Sequence, residues 1–428
     1  MNILFITNSV PWPPTDGVRI KTYNLLRMLS SRHKLHLLSF YESGKDEPAK
    51  AAQQLSQFCN IVNLIPLKTK KLRKIRSLLN TANFFKTEPF FAKEYCGNKM
   101  TNSIAEFIKN NLLDIVHFDT ICAARYVNIT QGRLPAILSL NDSLTLCCRE
   151  EAVLFPFKNI DKKIQRGLQW IDAFKYEKRV CPQFEKCHVV AQTDKNYLKR
   201  INVRIDAEVI PNGVDTDFYK PLNLGPTFPS LIFEGAMRGG AADYAKWFID
   251  YCLPLVEQVF PEIKLFLVGK EPDRKLIKIA SQNKNIIVTG CVEDVRPYID
   301  KATISISPVL RSSGILNKVL QAMAMEKAVV GTPYSFCGIP GCVHGHQVIQ
   351  AENPYEFATA IINLLNNPDK RRQLGKNARE FVKNNFTWEK TASDFEMLYK
   401  KAIEKYAGSA NRILQKNYFL QEAAVCKN

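Results

Sequence analysis

The sequence predicts an α/β protein of two domains, each built on a largely parallel sheet. Three observations predict it. In the first half, short apolar runs alternate with segments of helical periodicity, the pattern of parallel strands covered on both faces. The second half repeats that plan. Between the halves lie chain breakers, Pro211-Asn212-Gly213-Val214-Asp215 and then the Pro/Gly-rich Pro221–Pro229, which mark a turn and a linker. No short-period repeat runs through the 428 residues, so a solenoid is excluded.

The elements follow in order. Strands are expected at Ile3–Thr7, Leu35–Phe40, Ile61–Ile65, Ile115–Phe118, Ala136–Leu140 and His188–Ala191. Helical patterns separate them at Val18–Leu29, Ala49–Phe58, Asn98–Asn110 and Ile171–Val180. In the second half the expected strands are Ser230–Phe233, Lys264–Val268, Ile286–Val288, Thr303–Ser307 and Ala328–Val330. The final helices run from Pro354 to about Tyr406, and 407–428 reads as a weakly periodic, mobile tail. The expected division is 1–207, 208–387, a terminal helix at 388–406, and the tail. In open sheets of this kind ligands sit at the carboxyl ends of the strands, and two such domains facing each other create a cleft.

Composition narrows the function. The chain is 46% apolar and 23% charged, enough to bury substantial cores. No apolar run approaches the roughly 20 residues of a membrane helix. The start, Met1 to Thr7, lacks a basic leader and reads as a first strand, so a cytoplasmic location is expected. The 12 cysteines are scattered, without a paired CxxC framework. Cys337, Cys342, His344 and His346 are loosely zinc-like in spacing, but their Gly/Pro-rich setting reads as a loop, and no metal is expected.

The net charge of +18 calls for an anionic partner, and charge alone does not choose among nucleotide diphosphate, acidic lipid and nucleic acid. Nucleic acid is not expected, because no recognised binding module accompanies the charge. The stretch Lys68–Arg76, with Lys70, Lys71, Arg73 and Lys74, is followed by Leu78-Leu79, Phe84-Phe85 and Phe90-Phe91. A basic amphipathic stretch with aromatics suits an anionic membrane surface, where each cation contributes about 1 kcal/mol. The plainer reading is a solvated helix with its apolar residues packed inward.

The most informative segment is Ile304–Pro333. A strand ends at Ser307-Pro308, a loop carries Arg311, Ser312, Ser313 and Gly314, and a helix follows. Leu316, Val319, Leu320, Met323 and Ala324 form its apolar face, while Lys318 and Gln321 are neighbours on another stripe. A helix start offers free N–H groups to a phosphate, glycine permits close approach, and Arg311 and Lys318 add charge. An ordinary strand–loop–helix unit with solvated charges would look the same. In the first half, Gly17 follows a strand and opens a helix. His117 lies in an apolar strand, where a lone His is usually a core residue. Asn141-Asp142-Ser143 ends the next strand, and Asp or Ser there serves equally as a helix N-cap.

The run from Gly314 to Pro333, GILNKVLQAMAMEKAVVGTP, resembles the donor-site motif of family-4 glycosyltransferases. It is most similar to a bacterial subgroup found with exopolysaccharide and exosortase (PEP-CTERM) gene clusters. Other segments match in the same order: Pro11–Gly17, Arg32–Leu37, Tyr176-Glu177, Ile210–Asp215, Phe233–Met237 and Leu267-Val268-Gly269. The resemblance covers roughly residues 1–400. It implies a GT-B fold: two Rossmann-like domains with parallel sheets facing across a cleft, and a C-terminal helix, here Trp388–Tyr406, crossing back to the first domain.

The resemblance also implies retaining transfer of a sugar from a nucleotide-diphosphate donor to a glycan or lipid-linked acceptor, with no required metal or other cofactor. Gly17, Arg311, Ser313, Gly314, Lys318 and Gln321 are the expected donor-binding residues; the resemblance gives His117 a substrate-facing role, Asp142 at its strand end is placed to bind a sugar hydroxyl or steady acceptor chemistry, and these two are the catalytic candidates. Two departures stand out. The wider family places two acids eight positions apart where Ser313 and Gln321 stand, and the second acid holds the ribose hydroxyls. The family's phosphate Arg would fall near Ala236, so Arg238 or Lys246 would substitute, with Arg311 the preferred clamp. Glu177 matches the subgroup's Tyr-Glu pair without an assigned role.

Retaining transfer asks mainly for N–H groups and cations around the leaving diphosphate. The lack of a carboxylate pair is compatible with that chemistry and argues against a two-acid hydrolase. The alternatives are a degenerate, non-catalytic GT-B partner in a membrane-associated assembly and a sugar-nucleotide epimerase.

Overall fold

The structure is a computed structural model that describes residues 1–67, 89, 92, 95, 97–153, 160–311 and 314–425. The basic stretch with Lys70, Lys71, Arg73 and Lys74, and also Ser313, lie outside the described residues. The strands are β1 (Asn2–Thr7), β2 (Lys34–Tyr41), β3 (Ile61–Pro66), β4 (Ile115–Asp119), β5 (Ala136–Asn141), β6 (Lys186–Val189), β7 (Ala207–Val209), β8 (Ser230–Glu234), β9 (Lys264–Val268), β10 (Ile286–Gly290), β11 (Ile304–Ser307), β12 (Val329–Gly331) and β13 (Ile349–Gln350). The helices are α1 (Gly17–Leu29), α2 (Pro48–Leu55), α3 (Asn98–Asn110), α4 (Leu144–Val153), α5 (Ile160–Val180), α6 (Gln192–Ile201), α7 (Gly240–Tyr251), α8 (Leu253–Glu257), α9 (Arg274–Gln282), α10 (Arg296–Lys301), α11 (Asn317–Ala324), α12 (Pro354–Asn366), α13 (Pro368–Asn385) and α14 (Trp388–Val425).

The chain forms two compact units. The first comprises Met1–Ile210 and Thr391–Asn428, the second Pro211–Lys390. The first carries a parallel sheet in the order β3-β2-β1-β4-β5-β6-β7. Its central strands are buried on both faces, which is why Ile3–Ile6 reads as an unbroken apolar run and Ile115–Phe118 as one interrupted only by His117. One face is covered by Leu25, Leu26 and Leu29 of α1 and by Phe395, Leu398, Tyr399 and Ala402 of α14, packed on Ile3, Phe5, Ile115 and Ile137. The α14 residues recur at helical spacing, so one stripe of that helix is core. The order reverses between β1 and β4, which opens a crevice at their carboxyl ends.

The second unit repeats the plan with a parallel sheet in the order β10-β9-β8-β11-β12-β13. Here the reversal lies between β8 and β11. Phe248 of α7 and Phe357 of α12 meet edge to face over this sheet, at 5.5 Å between ring centres. Met323 and Leu320 of α11 pack with Ala378 and Val382 of α13 in a separate cluster.

Several boundaries differ from expectation. Strand β6 begins at Lys186 and ends at Val189, two residues before Ala191. Helix α5 begins at Ile160, well before Ile171. The terminal helix does not stop near Tyr406 but continues to Val425, through the segment read as a tail.

Candidate active site

The second unit's crevice is built where β8 and β11 end side by side. Strand β8 delivers Phe233 and Glu234 and leaves through Gly235, whose φ of 138° favours glycine. Strand β9 ends at Val268 and leaves through Gly269, with φ of 153°. A Cβ on Gly269 would stand 1.7 Å from the Gly235 carbonyl oxygen, so only glycine lets these strand ends cross so closely. From β11 the chain runs through Val309 to Arg311 and returns at Thr332. The Thr332 hydroxyl donates to the Val309 carbonyl, and the Ser335 hydroxyl donates to the Ser307 carbonyl at 2.5 Å, closing the loop on itself.

The helix facing this crevice begins at Asn317, not directly after Gly314 as the sequence suggested. The reason is long-range. A Cβ on Gly338 would lie 2.5 Å from the Gly314 carbonyl oxygen and 2.8 Å from the Ile315 Cα, so 314–316 run extended against another backbone. The N-cap residue of α11, Leu316, has no side chain that caps the first turn, and no cap comes from the described residues. Its amides and dipole suit an anion. Lys318 lies on that turn, with its Nζ 4.2 Å from the centre of the Phe233 ring, and 3.8 Å from where a Cβ on Gly235 would stand.

Glu234 is buried beside Lys318, and its Oε1 accepts no hydrogen bond from the described residues. Burial pushes its carboxyl up to about 8, against the pull of Lys318. Burial likewise lowers Lys318 to about 8, against the pull of Glu234. Neither charge is comfortably solvated, so an anion entering here would find a cation short of counter-charge.

Arg311 is half-buried. Its Nε donates to the Tyr244 hydroxyl at 3.3 Å, and that hydroxyl donates to the Arg311 carbonyl at 3.2 Å. Its Nη1 is buried without a partner among the described residues. Gln321 is half-buried on the helix, one turn beyond Lys318. Arg238 is exposed and paired with Glu271, while Lys246 is paired with Asp250 on α7. Both stand as surface ion pairs, and it is Lys318 that lies against Phe233 and Gly235.

In the first unit Gly17 is exposed as the first residue of α1. The preceding Asp16 is the N-cap and accepts from the Arg19 N–H at 3.1 Å. One turn on, Lys21 is buried, donating to Asp119 Oδ1 at 2.5 Å and to the Ser139 hydroxyl at 2.6 Å. The Thr22 hydroxyl donates to Asp119 Oδ2. These contacts fix α1 to the carboxyl ends of β4 and β5.

His117 does not face this crevice. It is the middle residue of β4, fully buried, stacked on Phe5 at 4.5 Å between ring centres and sharing a 2.8 Å hydrogen bond with the Tyr399 hydroxyl. Burial, then the charge of Lys21, holds its imidazole well below the ordinary range. The return of α14 makes it a core residue, which corrects its expected role. Asp142 stands half-buried just past β5, and its Oδ1 has no partner among the described residues. Burial raises its carboxyl, and Lys21 opposes the rise.

The capping of the following helix start falls to Asp142's neighbours. Ser143 Oγ accepts from the Leu146 N–H at 3.3 Å. Glu177 accepts from the Leu144 N–H at 2.7 Å, the Thr145 N–H at 3.2 Å and the Ser143 hydroxyl at 3.0 Å. Asp194 accepts from the Ser143 N–H at 2.7 Å, and burial raises it to about 7. Glu177 thus holds the start of α4.

Lys21, Glu234, Tyr244 and Asp194 are site neighbours that the sequence did not single out. Two left a signal: Lys21 shares the apolar stripe of Leu25 and Leu29, and Glu234 ends an apolar strand. Cys337 is exposed, and His344 Nδ1 accepts from the Gln350 N–H at 2.9 Å. Among the described residues no group of His, Cys, Asp or Glu could hold a metal ion.

Residues 15–218 match the family model described as Glycosyltransferase Family 4, and residues 228–367 match that described as Glycosyl transferases group 1. A 44.6 kDa protein in the cps region of Klebsiella pneumoniae is 26% identical over 407 residues, 91% of this chain and 98% of its own length. Sucrose-phosphate synthase from Thermosynechococcus elongatus shares the fold at a TM-score of 0.69 and 16% identity, over 94% of this chain and 99% of that one. Anabaena HepE, solved in complex with UDP, does so at 0.64 and 14% identity, over 94% and 100%. With both sheets parallel and singly reversed, and with both family models matched in order, the chain is a GT-B protein of the glycosyltransferase family-4-like kind.

Proposed function

We propose that the protein transfers a sugar from a nucleotide-diphosphate donor to a glycan or lipid-linked acceptor, with retention, in exopolysaccharide or cell-surface glycan synthesis of the exosortase-associated type. The observation that carries this reading is Lys318 on the uncapped first turn of α11, beside Gly235 at the reversal of the second sheet. The second unit, 208–387 in the sequence division, takes the donor, and the first, 1–207, takes the acceptor. The likeness to HepE, which was solved with UDP and with UDP-glucose, supports a nucleotide sugar as the donor.

In this reading the α11 amides, Lys318 and Arg311 neutralise the charge that develops on the leaving diphosphate. Gly314 permits close approach of the diphosphate, Ser313, outside the described residues, is assigned to the donor, and Gln321 hydrogen-bonds the ribose. Arg238 swings from Glu271 to the phosphates. From the first unit Gly17 offers backbone to the donor's sugar or diphosphate, and Asp142 binds a sugar hydroxyl. No added cofactor is called for. Lys70, Lys71, Arg73 and Lys74 hold the cytoplasmic enzyme to an anionic membrane face. No helix among the described residues is long and apolar enough to cross a membrane.

Thermal stabilisation by a panel of UDP-, GDP- and ADP-sugars tests the donor claim. A shift with at least one, lost in Arg311→Ala plus Lys318→Ala, is expected; no shift with any sinks it. Gln321, standing where the resemblance leads one to look for an acid, favours a second reading as a non-catalytic partner. Unchanged glycan output from cells carrying that double variant would support it.

A further inference from the structure

Along the outer edge of the first unit's sheet runs a groove of about 820 Å³. Its floor is β7, the last strand of the sheet, which pairs with β6 on its inner side. Lys195 and Lys199 of α6 line one wall, and Lys401 and Lys405 of α14 line the other. Acids are present but engaged. Asp206 bonds Lys186 at 3.1 Å and Lys405 at 2.8 Å, and Glu208 bonds Lys186 and Lys401, each at 3.0 Å. Lys195 and Lys199 have no carboxylate partner among the described residues. The α6 wall is therefore the unbalanced one.

We propose that this groove takes an extended acidic peptide segment of a partner protein, added as a further strand on β7 with its acidic side chains turned toward α6. An edge strand is a template for main-chain pairing, and alternate side chains of the added strand supply specificity. The spacing fits. Lys195 and Lys199 lie one turn apart, about 6 Å along the helix. Acids at alternate positions of a strand lie about 6.7 Å apart. The same lysines repel a second copy of this chain, whose net charge is +18, and attract an acidic strand. The groove's concave form suits a single extended chain rather than a flat lipid surface.

The test uses the full chain and a fluorescein-labelled octapeptide of alternating Thr and Glu, read by anisotropy. Two further probes are the same peptide N-methylated on either alternate set of amides, and an oligogalacturonate of equal charge. The octapeptide is expected to bind and to lose at least tenfold in affinity in Lys195→Glu plus Lys199→Glu. N-methylation of one set, and not the other, should cause a similar loss, and the acidic sugar should bind at least tenfold more weakly. Lys195→Gln plus Lys199→Gln, with an unchanged melting curve, guards against misfolding. The proposal is overturned if the lysine substitutions leave binding unchanged, if neither N-methylated set matters, or if the sugar binds as well as the peptide.

Discussion

Lys318 sets its ammonium 4.2 Å from the centre of the Phe233 ring, next to the carboxyl of Glu234 on the same strand. The ring and the buried acid together hold a cation at the mouth of the second unit's crevice. A cation over an aromatic face gains about 0.5–2 kcal/mol, less than full hydration would give, so the charge stays available to an incoming anion.

The first prediction follows from that pair. Glu234 stays neutral in the folded protein up to about pH 8, whereas its ordinary value is 4.5. The native state therefore holds an extra proton between those values. This contribution to stability is complete below pH 4.5 and is lost as pH rises toward 8. Glu234→Gln is neutral at every pH and removes the slope. Variant-minus-wild-type stability should rise between about pH 5 and pH 8 by on the order of 2 kcal/mol. Urea denaturation across that range checks it, and parallel curves would refute it. Lys318→Met should weaken UDP binding roughly 10- to 100-fold, the worth of a charge-assisted hydrogen bond.

Gly269 offers a backbone test. Its φ of 153° and the 1.7 Å approach to the Gly235 carbonyl leave no room for a methyl group. Gly269→Ala should destabilise the second unit by about 3 kcal/mol or more. Gly239 has nothing within 4 Å of a Cβ, and its φ is 55°. With φ 55° and ψ −133°, a conformation largely confined to glycine, Gly239→Ala meets backbone strain but no clash and should cost less, about 1–3 kcal/mol. Comparable losses in the two variants would show that the β8–β9 crossing is slack.

These features also mark where the sequence stopped being legible. Strands β1 and β4 were readable because parallel strands buried on both faces leave runs such as Ile3–Ile6. The stripe that sets Lys318 apart from Leu320 and Met323 was readable from period alone. Strands β7 and β13 span three and two residues, too short for any period to register. The delayed start of α11 depends on Gly338, and the burial of His117 on Tyr399, 282 residues away in sequence. Contacts of that range leave no local trace, so His117 looked like a site residue and Glu177 had no reading.

Glu177 gives the third prediction. Glu177→Ala would leave two amide N–H groups and the Ser143 hydroxyl without their buried acceptor. A loss of about 3 kcal/mol is expected, with nucleotide binding by the second unit unchanged. Protection of the α4 amides in hydrogen exchange should fall first. Loss of UDP binding at temperatures where the chain stays folded would instead place Glu177 in the chemistry.

The buried pair of Lys21 and Asp119 gives the fourth. Both side chains are 2% exposed. Removing one partner strands a charge, so Lys21→Met should cost about 3–5 kcal/mol. Lys21→Met plus Asp119→Leu replaces the pair by apolar groups and should recover most of that loss. If the double variant is as unstable as the single, then Thr22 and Ser139, which share these bonds, carry the stability instead.

Gln321 tests the donor assignment most directly. It lies one turn beyond Lys318 on α11, half-buried, at the position where the family resemblance calls for the acid that holds the ribose. A neutral amide can accept from a ribose hydroxyl, but a carboxylate forms a charge-assisted bond roughly twice as strong. Gln321→Glu should therefore tighten UDP binding by about 1 kcal/mol, roughly fivefold, while leaving inorganic pyrophosphate unaffected. The comparison separates a ribose contact from a general change in charge. Added negative charge near Lys318 acting alone would weaken both ligands. Calorimetric titration of each variant with UDP, 2′,3′-dideoxy-UDP and pyrophosphate distinguishes the cases: the gain should vanish with the dideoxy nucleotide, and a gain that persists there would remove Gln321 from the ribose site.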